Sequence, residues 1–95
     1  MIQCVRFRPH RRNTLRGFCD LELVRTGIII SDCTWHRHAN GKEWVGFPAR
    51  PYTDKNGESQ WQALIEFAPG AKQAREQFQV QALAAIHAVA EETVS

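Results

Sequence analysis

The segment Cys33-x-x-His36-x-His38 combines a thiol with two imidazoles, side chains that suit zinc, and period two puts residues 36 and 38 on one side of an extended chain. A fourth ligand at motif spacing is missing; only Cys19, on a neighbouring strand, would be near. Surface histidines beside a turn are the simpler reading, and no metal is expected. Asp32 and His36 form a carboxylate–imidazole pair close in sequence, and Asp20 with Glu22 a carboxylate pair on one strand face. Proton transfer needs such groups, but it also needs a reacting partner. The chain has no glycine-rich phosphate loop, nucleophile elbow or two-histidine helical motif. A solvated or ion-paired strand face is therefore expected, with no catalytic residue and no cofactor.

The basic and aromatic residues form a more coherent set. The first sixteen residues hold five arginines and no acid. Residues 1 to 50 carry a charge of +5 and residues 51 to 95 a charge of −3, within a net charge of +2. Polyanions respond to such local fields rather than to net charge. Arg6 and Arg8 lie about 7 Å apart on one strand face, and Arg11, Arg12 and Arg16 continue the charge through the adjoining turn. A groove that tracks a phosphate backbone uses a linear array of this kind. Unstacked bases also need flat surfaces, and Trp35, Trp44 and Tyr52 lie among Arg37, Lys42, Arg50 and Lys55. If Val45 and Phe47 face the core, Trp44 turns outward beside Gly46, whose missing side chain would leave room for a base. The competing expectation makes Trp44 a cross-strand partner of Trp61 or Trp35. Trp61 itself reads as core.

These residues must be positioned by a chain of 95 residues, enough for a single domain with one core. The cysteines Cys4, Cys19 and Cys33 are odd in number and lack a Cys-x-x-Cys pair, so they read as buried free thiols. No stretch reaches the ~18 apolar residues of a membrane span. Arginines occupy the place of a signal peptide's apolar region, and a cytoplasmic location is expected. Ile2 to Arg8 alternates as an amphipathic strand, with Val5 and Phe7 on one face and Arg6 and Arg8 on the other, and Pro9 to Asn13 reads as a turn. Strands follow over Leu15 to Val24, Ile28 to Trp35 and Trp44 to Phe47, the second of these central and covered on both faces at its isoleucine run. Asn40-Gly41 marks a tight turn between them. Pro48 and Pro51 end pairing or mark an edge. Asp54 to Gly57 turns the chain into a fifth strand over Ser59 to Phe67, with Trp61, Ala63, Ile65 and Phe67 on one face. From Ala71 to about Glu92 the period becomes helical, with Phe78, Ala82, Ala85, Ile86 and Val89 as the apolar stripe. Val80, Leu83 and Ala90 widen it, which suggests a second subunit. The expected fold is α+β: a curved antiparallel β-meander of four to five strands (residues 1–68) followed by one long C-terminal α-helix (residues 70–92).

The order Ile28-Ile29-Ile30-x-Asp32, Asn40-Gly41, Trp44-Val45-Gly46-Phe47-Pro48-Ala49-Arg50, Asp54-x-x-Gly57 and Ile65-x-Phe67 resembles the septation protein SpoVG family over about residues 15 to 70. The resemblance implies a small sheet-plus-helix fold, a homodimer and regulatory binding of DNA or RNA. Asp32, Pro48, Arg50, Asp54 and Gly57 match positions that matter there for folding or dimer pairing. The N-terminal arginine cluster is denser here, Trp44 and Trp61 replace less bulky residues, and the helix is less basic. Those departures shift the expected contact surface toward the first strand and the loop after Phe47. A looser similarity, in element order and basic aromatic character, links the chain to single-stranded-DNA-binding transcriptional coactivators.

The sequence thus predicts a non-catalytic, homodimeric nucleic-acid-binding regulator, with DNA or RNA as partner and no membrane or small-molecule substrate. Its expected contact residues are Arg6, Arg8, Arg11, Arg12, Arg16, Arg37, Lys42, Trp44, Arg50, Tyr52 and Lys55. The alternative is a protein-interaction module of phage or mobile-element origin that docks a host protein.

Overall fold

A computed structural model describes residues 1–94, and the side chains of residues 1–90. Six strands precede one helix: β1 (Ile2–Arg12), β2 (Leu15–Leu23), β3 (Ile28–Arg37), β4 (Glu43–Gly46), β5 (Ala49–Thr53), β6 (Ser59–Ala63) and α1 (Lys72–Val94). The first four form an antiparallel sheet in the order β1-β2-β3-β4, and β5 pairs with β6 in a separate ribbon. This is the α+β meander-then-helix that the alternation predicts. None of the described helical residues makes a span long and apolar enough to cross a membrane.

The helix covers one face of the four-stranded sheet. Cys19, Leu21, Ile30, Cys33, Trp35 and Val45 turn inward from β2, β3 and β4 to meet Phe78, Ala82, Ile86 and Ala90 on α1. Those helix positions recur at every fourth residue, which is the spacing of a single buried stripe. Leu83 packs against this core, whereas Val80 is 69% exposed. Ile29 is exposed because the helix leaves the other face open, and Ile28, on the core side but at the start of β3, is exposed as well, so only Ile30 reaches the core. The expectation of cover on both faces is therefore wrong at that end of β3.

Two other strand expectations need correction. The turn anticipated at Pro9 to Asn13 is strand as far as Arg12, because β1 is an edge strand on which a proline costs no ladder bond. The reversal occurs at Asn13-Thr14, where Asn13 adopts φ 55. Val5 does not share a face with Phe7 either. Cys4 pairs with Leu21 and Arg6 with Asp20, so Val5 is the extra residue of a bulge and is 47% exposed, while Ile2, Cys4 and Phe7 pack on the core.

A second bulge lies beside the first. Cys19 pairs with Cys33 and Leu21 with Ile30, which sets Ser31 and Asp32 against Asp20 alone. Asp32 sits in the left-handed region at φ 59, and its N–H donates to Asp20 Oδ1 at 3.0 Å. Asp20 is 5% exposed, so a buried carboxylate organises the bulge. Asparagine and aspartate are among the few side chains that tolerate this backbone region.

The far edge of the sheet is closed by the helix. Gln79 on α1 accepts the Val45 N–H at 2.8 Å and donates Nε2 to the Val45 carbonyl at 2.9 Å, filling the place of a further strand. Glu43 adds a second tie. Its carboxylate accepts Trp35 Nε1 at 3.0 Å, Arg37 Nε at 3.0 Å and His87 Nε2 at 2.6 Å, linking β3, β4 and α1.

Candidate nucleic-acid interface

On the helix-free face, residues that alternate with the core set form cross-strand rows. Arg8, Phe18, Thr34 and Gly46 are register partners across all four strands. The Arg8 guanidinium lies 5.9 Å from the Phe18 ring centre, and the His10 ring is 5.8 Å from the same ring. In the adjacent row His36 stacks on Trp44 with centroids 4.9 Å apart and planes 4° from parallel. His38 also contacts Trp44, at 4.7 Å. Trp44 therefore faces outward as alternation predicts, but its cross-strand partner is His36 rather than Trp61 or Trp35.

His36 is held at both ring nitrogens, Nδ1 to Thr14 Oγ1 at 3.1 Å and Nε2 to Thr34 Oγ1 at 3.0 Å. Burial lowers its pKa, so the neutral ring is favoured. The space beside Gly46 is not open for a base. A Cβ there would lie 2.6 Å from Thr34 Oγ1, so the glycine makes room for the threonine that orients His36. Gly46→Ala is expected to destabilise the fold by about 1–3 kcal/mol, and most of that cost should vanish in a Thr34→Ala background. Additive losses in urea denaturation of the two single variants and the double variant would refute this coupling.

The β5–β6 ribbon stands beside this face. Between them runs a cleft of about 720 Å³, lined on the sheet side by Arg8, Phe18, Asp32 and Thr34, and on the other by the Phe47-Pro48-Ala49 segment, Trp61 and Leu64. Trp61 is 72% exposed, which overturns its assignment to the core. The four-stranded sheet ends at Gly46, so β6 never reaches the layer beneath the helix; Ile65 and Phe67 do, from the segment that follows.

The expected contact residues are only partly gathered. Arg6 and Arg8 share the helix-free face, yet neither stands free: Arg6 pairs with Asp20 at 3.4 Å, and Arg8 pairs with Asp32. Arg11 and Arg12 are exposed at the end of β1. Arg16 folds back on the β1–β2 turn, donating Nη1 to the carbonyls of Asn13 at 2.9 Å and Leu15 at 3.3 Å. Arg37 lies on the helix side, paired with Glu43 at 2.8 Å and stacked 5.4 Å from Trp35, where it is structural. Lys42 and Lys55 are exposed in the β3–β4 and β5–β6 turns. Arg50 and Tyr52 pair with Gln62 and Gln60, on the ribbon face opposite Pro51 and Trp61. The expected single arginine face thus divides into a cleft, a basic strand end and an outer ribbon face.

Sequence reasoning overlooked Phe18, Thr34, Asp32 and Trp61 as cleft residues. The alternation that turns Cys19 and Leu21 inward already turns Phe18 outward, so that signal was present. Cys33 and His36 are separated by the sheet, Cys33 beneath the helix and His36 on the open face. Burial pushes the Cys33 thiol up to about 12, which keeps it protonated at neutral pH. Among the described residues no three His, Cys, Asp or Glu side chains are grouped to hold a metal ion.

No family model, curated protein or solved structure matches the chain. The functional reading therefore rests on the residues themselves.

Proposed function

We propose that the protein is a non-catalytic, cytoplasmic regulator that binds single-stranded DNA or RNA on the helix-free face of its sheet. The observation that carries this is Trp61, 72% exposed at a cleft whose opposite wall holds Phe18 and Arg8. A large aromatic left in water beside a second aromatic and a cation is a surface on which an unstacked base gains stacking energy. Arg11 and Arg12, at the exposed end of β1, supply phosphate contacts for the strand leading into the cleft. The SpoVG-like sequence pattern points to the same ligand class.

Fluorescence anisotropy with labelled single-stranded and duplex oligonucleotides tests the reading. Single strands are expected to bind more tightly, and affinity should fall as salt rises, with a log–log slope of about −0.7 per phosphate contacted. Arg11→Glu with Arg12→Glu should lower affinity about tenfold and flatten that slope. Absence of binding to every oligonucleotide at low salt would reject the proposal.

Met1, Val24, Ile28 and Ile29, all exposed around the β2–β3 end of the sheet, favour a homodimer of this regulator or, as a second reading, a protein-docking module. Light scattering of the purified protein distinguishes dimer from monomer. A stoichiometric protein partner recovered after nuclease treatment would favour docking.

A further inference from the structure

We propose that the cleft between the helix-free face and the β5–β6 ribbon takes a single guanine base, and that the Arg8–Asp32 pair selects it. The inference rests on the nucleic-acid reading above and adds base identity to it. The pair joins Arg8 Nη2 to Asp32 Oδ1. Arg8 Nε and Nη1 and Asp32 Oδ2 have no hydrogen-bond partner among the described residues, and the two side chains are 50% and 65% exposed. Nη1 and the second hydrogen of Nη2 still make a donor fork, directly beside a carboxylate that has capacity left over.

Guanine complements that arrangement more fully than any other base. Its O6 and N7 accept two hydrogen bonds from a guanidinium, while its neighbouring N1–H and N2–H donate two to a carboxylate. Thymine and uracil offer one acceptor and one donor in the same places, half the set. Cytosine sets the paired acceptors N3 and O2 beside its amino group but gives the carboxylate that one donor alone, and adenine gives the amino group without paired acceptors beside it. Phe18 and Trp61 line the two sides of the cleft, and its volume of about 720 Å³ lies within the ~300–1,000 Å³ typical of small-molecule clefts. The carboxylate is also fixed in place. Asp32 is held in its left-handed bulge by the buried Asp20, so its position is set by the sheet and not by the ligand.

The test uses the full-length protein and thymidine oligomers of about ten nucleotides carrying one central dG, dA, dC or dT. The dG oligomer is expected to bind about tenfold tighter than the others. Asp32→Asn should remove that preference, so that the variant binds all four oligomers within about twofold of one another, and because asparagine tolerates the same backbone region the fold is kept. Circular dichroism and thermal unfolding of the variant confirm that the fold is retained. Trp61→Ala should weaken all four oligomers alike through lost stacking. Equal affinity of the wild-type protein for the four oligomers would overturn the guanine inference while leaving the nucleic-acid reading in place. An unchanged guanine preference in Asp32→Asn would overturn the role of the pair, and failure to bind any oligomer would remove both readings.

Discussion

Ile86→Ala is expected to lower the unfolding free energy by about 2–5 kcal/mol, the range for truncating a large aliphatic side chain inside a packed core. Ile86 is fully buried and belongs to the core cluster with Leu21, Cys19 and Cys33, which are fully buried too. A domain of this size has a total stability of roughly 5–14 kcal/mol, so one substitution would remove a large share of it. The spread within the range depends on how far α1 settles into the space left behind. Val80→Ala on the same helix is the control, because Val80 is 69% exposed and its loss should change stability by no more than about 0.5 kcal/mol. Urea denaturation of the three proteins makes the comparison. Similar losses for the two variants would mean that the helix does not dock by the stripe described above.

Glu43→Gln is expected to cost about 1–3 kcal/mol near neutral pH, and that cost should fade in acid. Burial alone would push the Glu43 carboxyl up. The hydrogen bonds from Trp35, His87 and Arg37 outweigh burial and hold it below its ordinary value. A carboxyl whose folded-state pKa is depressed binds its proton more readily when unfolded, so its stabilising contribution is complete above the unfolded value of about 4.3. It is lost as the pH falls through the folded-state value. Protonated glutamic acid and glutamine are close in shape and charge, so the stability curves of wild type and variant should converge toward low pH. Urea midpoints measured from neutral pH down to about pH 2 follow this. A gap that stays constant across that range would show that the carboxylate's charge contributes nothing, and that the four side chains are held by packing alone.

Much of the fold was legible in period-two alternation. Cys19, Leu21 and Leu23 on β2 against Asp20 and Glu22, followed by the change to helical period after Gly70, were enough to give the meander and its covering helix. Alternation could not reveal the bulges at Val5 and Asp32. Each adds one residue to one strand only, and the register that exposes it is a property of two strands together. The misplacement of Trp61 has a different origin. Apolar residues at 61, 63, 65 and 67 alternate correctly, but the chain leaves the ribbon after Ala63, so Trp61 and Phe67 belong to different layers. The arginine cluster was plain in the sequence, whereas its neutralisation was not. Asp20 and Asp32 lie 14 and 24 residues after their partners Arg6 and Arg8, and only strand pairing brings them together. Asp32 is close to His36 in sequence, yet its partner is an arginine on another strand.

The Gln79 amide, seated on the edge of β4, ties the solubility of the protein to the attachment of its helix. Val45's N–H and carbonyl are satisfied only while α1 is docked. When the helix lifts, a short apolar strand edge is uncovered together with the buried face behind it, which is the kind of surface that recruits a strand from another molecule. Opposite this edge, β1 carries a bulge, a proline and a row of arginines, and these discourage recruitment without help. Aggregation, where it occurs, should therefore begin at β4 and track helix detachment, well before the sheet itself comes apart.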